Sequence, residues 1–170
     1  MISYRIVFLV GILAVVLSNL QAQPTNALNS KKLIFEKLIY HSSHCNGSCP
    51  GIELQIDSNR NILLRRDIWK KKGIADSHKS GSFKGKLDLA TYSDLLVILT
   101  GSDYANLKFP PIDCCDAVVT TIVIYANGKR TILKSMTPPE EALALISFLH
   151  NLGMQSTAHP TTGEFKIDEF

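Results

Sequence analysis

Val118-Val-Thr-Thr-Ile-Val-Ile-Tyr-Ala-Asn127-Gly128-Lys-Arg-Thr-Ile-Leu-Lys134 is the stretch that decides the fold. Val118 to Tyr125 is rich in β-branched residues, which suit a pleated, half-buried surface. Asn127-Gly128 tolerates positive φ at two successive positions, as a tight hairpin turn requires. Arg130 to Lys134 supplies the returning strand. Working outward, an earlier stretch repeats the plan. Ile52, Leu54 and Ile56 alternate with Glu53, Gln55 and Asp57, Ser58 to Asn61 is a turn, and Ile62 to Ile68 returns. Leu33 to Tyr40 alternates more loosely and predicts a first strand.

Each hairpin is followed by a helical pattern. Asp88 caps the first helix, Tyr92, Leu95, Leu96 and Leu99 fall at helical spacing, and Gly101 ends it. Thr137-Pro138-Pro139-Glu140 predicts the second start: Thr137 as cap, Pro138 at the first helical position, Glu140 reaching back as a capping box. Leu143, Ile146, Leu149 and His150 share a stripe, and Gly153 is the expected stop. Trp69 to Lys86 reads as a basic loop leading into a short strand at Ser82–Lys86. Asn106 to Asp116 is irregular, with Pro110 and Pro111. Ser156 to Phe170 reads as a polar tail with a short strand at Phe165–Ile167. The expected fold is α+β: an antiparallel sheet of two hairpins plus an N-terminal strand, covered by two helices.

The N-terminus carries a different signal. Arg5 is the sole charge before Lys31, and Ile6 to Leu17 is an unbroken run of apolar residues and glycine. The polar stretch Ser18 to Gln21 follows and ends at the small Ala22. This is the grammar of a cleavable signal peptide, and the run is shorter than the ~20 apolar residues a membrane span needs. The predicted organisation is a signal peptide over residues 1–22, a flexible lead-in over 23–32, one domain over 33–155 and the tail over 156–170. The first cysteine is Cys45, far from the cut, so the expectation is a periplasmic or secreted soluble protein and not a lipoprotein. Loss of Arg5 with the signal leaves seventeen cations against fifteen acids, a net charge of +2. So mild a charge does not suggest nucleic acid as a partner.

Export would place Cys45, Cys49, Cys114 and Cys115 where disulfides persist, and four cysteines allow three pairings. Cys45–Cys49 is read first as a clip closing a short loop, with Gly47 letting the chain turn. A cross-link from either to Cys114 or Cys115 would pin the two hairpins together, and a redox-active dithiol is the third reading. Adjacent Cys114-Cys115 is either a strained vicinal disulfide or two separately placed thiols.

Cys45-Asn46-Gly47-Ser48-Cys49-Pro50, directly before an alternating strand and its hairpin, resembles the Cys-x-Gly-x-Cys-Pro opening of a bacterial family of exported proteins, domain-of-unknown-function family 6438. The later order is also similar: a helix (Tyr92–Leu99), an acidic turn (Asp113–Asp116), a hairpin about Gly128-Lys129 and a proline-started helix (Pro138–Leu152). Family members usually carry an aromatic residue two places after the proline, where this chain has Ile52. The resemblance implies fold and compartment. It implies no activity, since the family has none established.

Four features could carry chemistry. The cysteine pairs are one. His41, His44, Cys45 and Cys49 form a weak metal-ligand set, with His150 approaching from the closing helix; it lacks the second short step that zinc sites use unless Cys114-Cys115 provides it. Arg65, Arg66, Trp69, Lys70, Lys71 and Lys72 form a candidate binding surface for an anionic polymer or lipid headgroup. No catalytic triad, paired carboxylates or phosphate loop is identifiable, and no cofactor is implied. The leading expectation is an exported, non-enzymatic binding or interaction module of the cell envelope. The alternative is a thiol/disulfide redox protein using Cys45/Cys49 or Cys114/Cys115.

Overall fold

The computed structural model describes residues 33–45, 48–112, 116–156, 158–163 and 165–168. Leu33–Phe170 forms one compact unit. The signal-peptide and lead-in readings, the Gly47 turn and the Cys114-Cys115 pair lie outside the described residues.

Nine strands and two helices account for this unit among the described residues: β1 (Phe35–Ser42), β2 (Gly51–Asp57), β3 (Asn61–Asp67), β4 (Trp69–Lys71), β5 (Ile74–Ala75), β6 (Gly81–Lys86), α1 (Leu89–Gly101), β7 (Thr120–Ala126), β8 (Lys129–Ser135), α2 (Leu143–Gln155) and β9 (His159–Pro160). Seven strands form one antiparallel sheet in the order β8-β7-β1-β2-β3-β6-β9, while β4 and β5 form a small sheet of their own. The α+β architecture is as expected. The N-terminal strand is its keystone: β1 pairs with β2 on one side and β7 on the other, joining the two hairpins.

Register builds the core. Leu38 lies opposite both Ile56 and Ile124, and Tyr40 opposite both Leu54 and Ile122. Because side chains alternate across a strand, these residues share one face. That face is buried beneath Leu95 and Leu99 of α1 and Leu145 and Leu149 of α2. Asp88 caps α1 as expected, its carboxylate accepting the Thr91 N–H at 2.9 Å. Hydrogen bonds from Thr91 hold that carboxyl below its ordinary range. The Asn127-Gly128 turn has φ of 55° and 69°, the positive pair the hairpin needs. Asn127 adds a bond of its own, accepting the Ile34 N–H at 3.0 Å.

Four local readings are corrected. Thr137 does not cap α2. Its N–H instead donates to Ser135 Oγ at 3.0 Å, and a 3-10 turn, Glu140–Ala142, precedes the helix with Pro139 as an N-cap that makes no side-chain bond. Two successive prolines set the chain extended to residue 139, so helical geometry starts later than the capping-box pattern implied. Leu143 does not join the buried stripe and is 47% exposed; the inward face is Leu145 and Leu149, with Ile146 packed beside them. Gly153 does not end α2. It is buried within the last turns, where a Cβ would sit 2.6 Å from Ile52 Cγ2. It is a close-approach glycine, letting the helix lie directly on β2. Phe165–Ile167 is not a strand; the tail contributes β9 instead, pairing Pro160 with Phe83. The tail is also less polar in role than in composition, since Ile167 is buried against Ile39 and Val123 on the opposite face of the sheet.

Candidate functional site

Four of the predicted residues, His44, Cys45, Cys49 and Trp69, converge where β1 ends, β2 begins and β3 ends. Register explains the convergence. Gly51 pairs with Asp67 and Ile52 with Arg66, so the residue after β3 must arrive beside the loop before β2. That loop is closed by a disulfide between Cys45 and Cys49, whose Cα atoms are 5.1 Å apart. Ser48 N donates to Cys45 O within it, and Cys45 Sγ lies 3.5 Å from Ser48 Oγ.

Two aromatic rings brace the loop. The half-buried Trp69 donates its indole Nε1–H to Cys49 O at 3.0 Å. Its ring meets the His44 imidazole edge-on, with centroids 5.7 Å apart. His44 in turn places Nε2 3.4 Å from Asp67 Oδ2 and its imidazole against Gly51, where a Cβ would lie 2.4 Å from Nε2. Ser43 ties the loop's start to the sheet, donating N–H to Val119 O at 3.0 Å and accepting the Val119 N–H on Oγ at 2.8 Å. The clip is thus built into the fold from both sides. Chemically it is a closed, braced cystine, and both sulfurs of the weak metal set are committed to each other. Among the described residues no group of three or more His, Cys, Asp and Glu side chains is placed to hold a metal.

His41 sits on the far face of β1, opposite Glu53 and Thr121. Burial pushes its imidazole below the ordinary value, Lys134 and His44 push the same way, and Glu53 opposes them. His150 does not join the other histidines. Its Nδ1 lies 3.3 Å from the hydroxyl of the buried Tyr40, a pairing between β1 and α2 that spacing alone did not reveal. Burial in turn raises the Tyr40 phenol.

The basic residues divide into two classes. Arg65 and Arg66 are bonded within the fold, Arg65 with its side chain still 47% exposed. Arg65 Nη1 donates to Glu53 Oε2 at 2.8 Å, and its guanidinium lies over Phe165. Arg66 caps the end of α2, donating Nη1–H to Gly153 O at 2.8 Å and Met154 O at 2.7 Å, Nε–H to Lys79 O at 2.8 Å, and stacking on Phe83. Desolvation pulls Arg66 below its usual value. Lys70, Lys71 and Lys72 are different: all three are exposed, on β4 and the turn to β5. Among the described residues they enter no ion pair. The composition pattern that grouped the six residues could not separate them; that needed the register of β3 and the position of α2.

Elsewhere, a cleft of about 620 Å³ opens between β2, β3, β6 and β9, lined by Leu63, Lys84, His159 and Pro160 among others. Among the described residues no helix is long and apolar enough to cross a membrane. The chain matches no family model and no curated protein.

Proposed function

We propose that this chain is an exported, non-enzymatic binding module of the cell envelope, related to the exported proteins that share its Cys-x-Gly-x-Cys-Pro opening. Its contact surface is the end of the sheet where the disulfide loop meets β4 and β5. One observation carries the reading: Trp69 is fastened through Nε1 to the disulfide loop, and the next three residues are exposed lysines. A ring held in place beside unneutralised cations is a preorganised surface for an anionic partner. The cystine serves as the brace of that surface. Its loop is held by Trp69, His44 and Ser43, which suits a structural clip better than a dithiol that must open and close.

Two measurements test this. Mass spectrometry of the exported protein should find an N-terminus near residue 23 and a Cys45–Cys49 bond. Binding to an envelope fraction should be weakened by salt and by K70Q/K71Q/K72Q. An N-terminus at Met1 would remove the export claim. A cystine that opens under mild reductant to a low-pKa thiol would favour the thiol/disulfide alternative and remove the binding-only reading.

A further inference from the structure

We infer that the β4–β5 hairpin docks on an anionic lipid surface, with Lys70, Lys71 and Lys72 at the headgroups and Ile74 entering the boundary beneath them. The inference rests on the binding-module reading and names its partner.

The hairpin stands apart from the main sheet, because β4 and β5 pair only with each other. A two-stranded hairpin is marginal in water unless something holds it. Here its base is anchored on both sides. Asp76 N donates to Ile68 O at 2.7 Å, Ile68 N donates to Ser80 Oγ at 2.9 Å, and Trp69 is bound to the disulfide loop. The tip is turned by Gly73 at φ 75°. It is therefore a held projection.

Charge is sorted on this projection. Its two acids are turned to local work. Asp67 faces His44, and the Asp76 carboxylate accepts the His78 N–H at 3.1 Å while its carbonyl takes Lys79 N and Ser80 N. The lysines are left facing solvent. Opposite Lys71, at the start of the returning strand, sits Ile74, 47% exposed. This last residue selects the partner class. A hydrated polyanion would engage the lysines and have no use for an aliphatic side chain. A bilayer surface uses both, since cations sit at the headgroup phosphates while an aliphatic residue enters the interfacial layer.

The test is flotation of the exported protein with vesicles, phosphatidylglycerol mixed with phosphatidylcholine against phosphatidylcholine alone. Trp69 is the single tryptophan and reports binding by its emission. Binding to the anionic vesicles is expected, absent from the zwitterionic ones and falling with salt. Each Lys→Gln change should weaken it about fivefold, and K70Q/K71Q/K72Q about a hundredfold. Ile74→Gln should weaken it about tenfold with the salt dependence unchanged. All four positions are exposed, and an unchanged melting curve for each variant separates lost binding from lost folding. Wild-type protein that ignores anionic vesicles overturns the inference, as does an Ile74→Gln variant that binds like wild type. Retention on polyphosphate without vesicle binding would also overturn it while leaving the binding-module reading standing.

Discussion

Gly153→Ala sets helix propensity against packing. Within a helix, alanine in place of glycine gains about 1 kcal/mol. Against this, the new methyl would lie 2.6 Å from Ile52 Cγ2 and 3.3 Å from Cδ1. Ile52 is fully buried on β2, and its β-branched Cγ2 cannot swing away without changing rotamer. The helix cannot easily retreat either, since Arg66 holds the carbonyls of Gly153 and Met154. Overpacking of this kind costs about 1–3 kcal/mol, and two constrained partners place it in the upper part of that range. Packing wins, for a net destabilisation of about 1–2 kcal/mol, or about 3–8 °C in Tm for a domain of this size. Urea unfolding followed by far-UV circular dichroism, with the disulfide intact, measures it. The double-mutant cycle is more decisive. Ile52→Ala alone should cost about 2–4 kcal/mol. In the double variant the alanine methyl occupies part of the vacated space, so the combined loss should fall short of the sum by about 1–3 kcal/mol. A Gly153→Ala protein more stable than wild type, or strict additivity, would refute the close-approach account of this glycine.

Further expectations attach to the same molecule. C45S/C49S should lose about 2 kcal/mol, the worth of closing so short a loop, and fold to the same circular dichroism spectrum. Trp69→Phe keeps a ring against His44 but loses the bond to Cys49 O; it should cost about 1 kcal/mol and speed reduction of the disulfide by dithiothreitol. Asn127→Ala should cost about 1–2 kcal/mol in thermal unfolding, with Asn127→Gly milder because glycine accepts the positive φ. His41 gives a pH dependence. Its folded pKa lies below the ordinary 6.5, so folding favours the neutral ring. Stability is full above about pH 6.5 and is lost as pH falls through the folded value. The urea midpoint should drop from pH 7.5 to pH 5, and His41→Gln should flatten that slope.

The strands were legible because their signals are local. Alternation at Ile52–Asp57 and the Asn127-Gly128 turn need no tertiary information, and both appear within a residue or two of where the pattern put them. Asp88 was legible for the same reason, as a cap acts within one turn. What failed was nonlocal. Gly153 reads as a stop only until β2 is known to lie beneath it. Thr137 has the right neighbours for a cap, but Ser135 at the end of β8 captures its N–H. In the candidate site the cysteine clip was readable from spacing, whereas the brace was not. Trp69 is twenty residues from Cys49, and only the β2–β3 register brings them together. Arg66 carries no mark that distinguishes it from Lys70 until α2 ends above it.

The position of β1 has a consequence in time. It is the first strand of the described unit, yet its two neighbours are β2, which follows at once, and β7, which ends at Ala126. A chain that emerges N-terminus first, from a ribosome or from an export channel, must deliver about 84 further residues after Ser42 before β7 is complete. Through that interval β1 presents one bare hydrogen-bonding edge flanked by Leu38, Ile39 and Tyr40, all destined for burial. Such an edge is a template for wrong pairing until its second partner arrives. The slow and vulnerable step of folding should therefore be the arrival of the β7–β8 hairpin, a long-range closure, and lesions that delay it should lower yield more than their effect on equilibrium stability suggests.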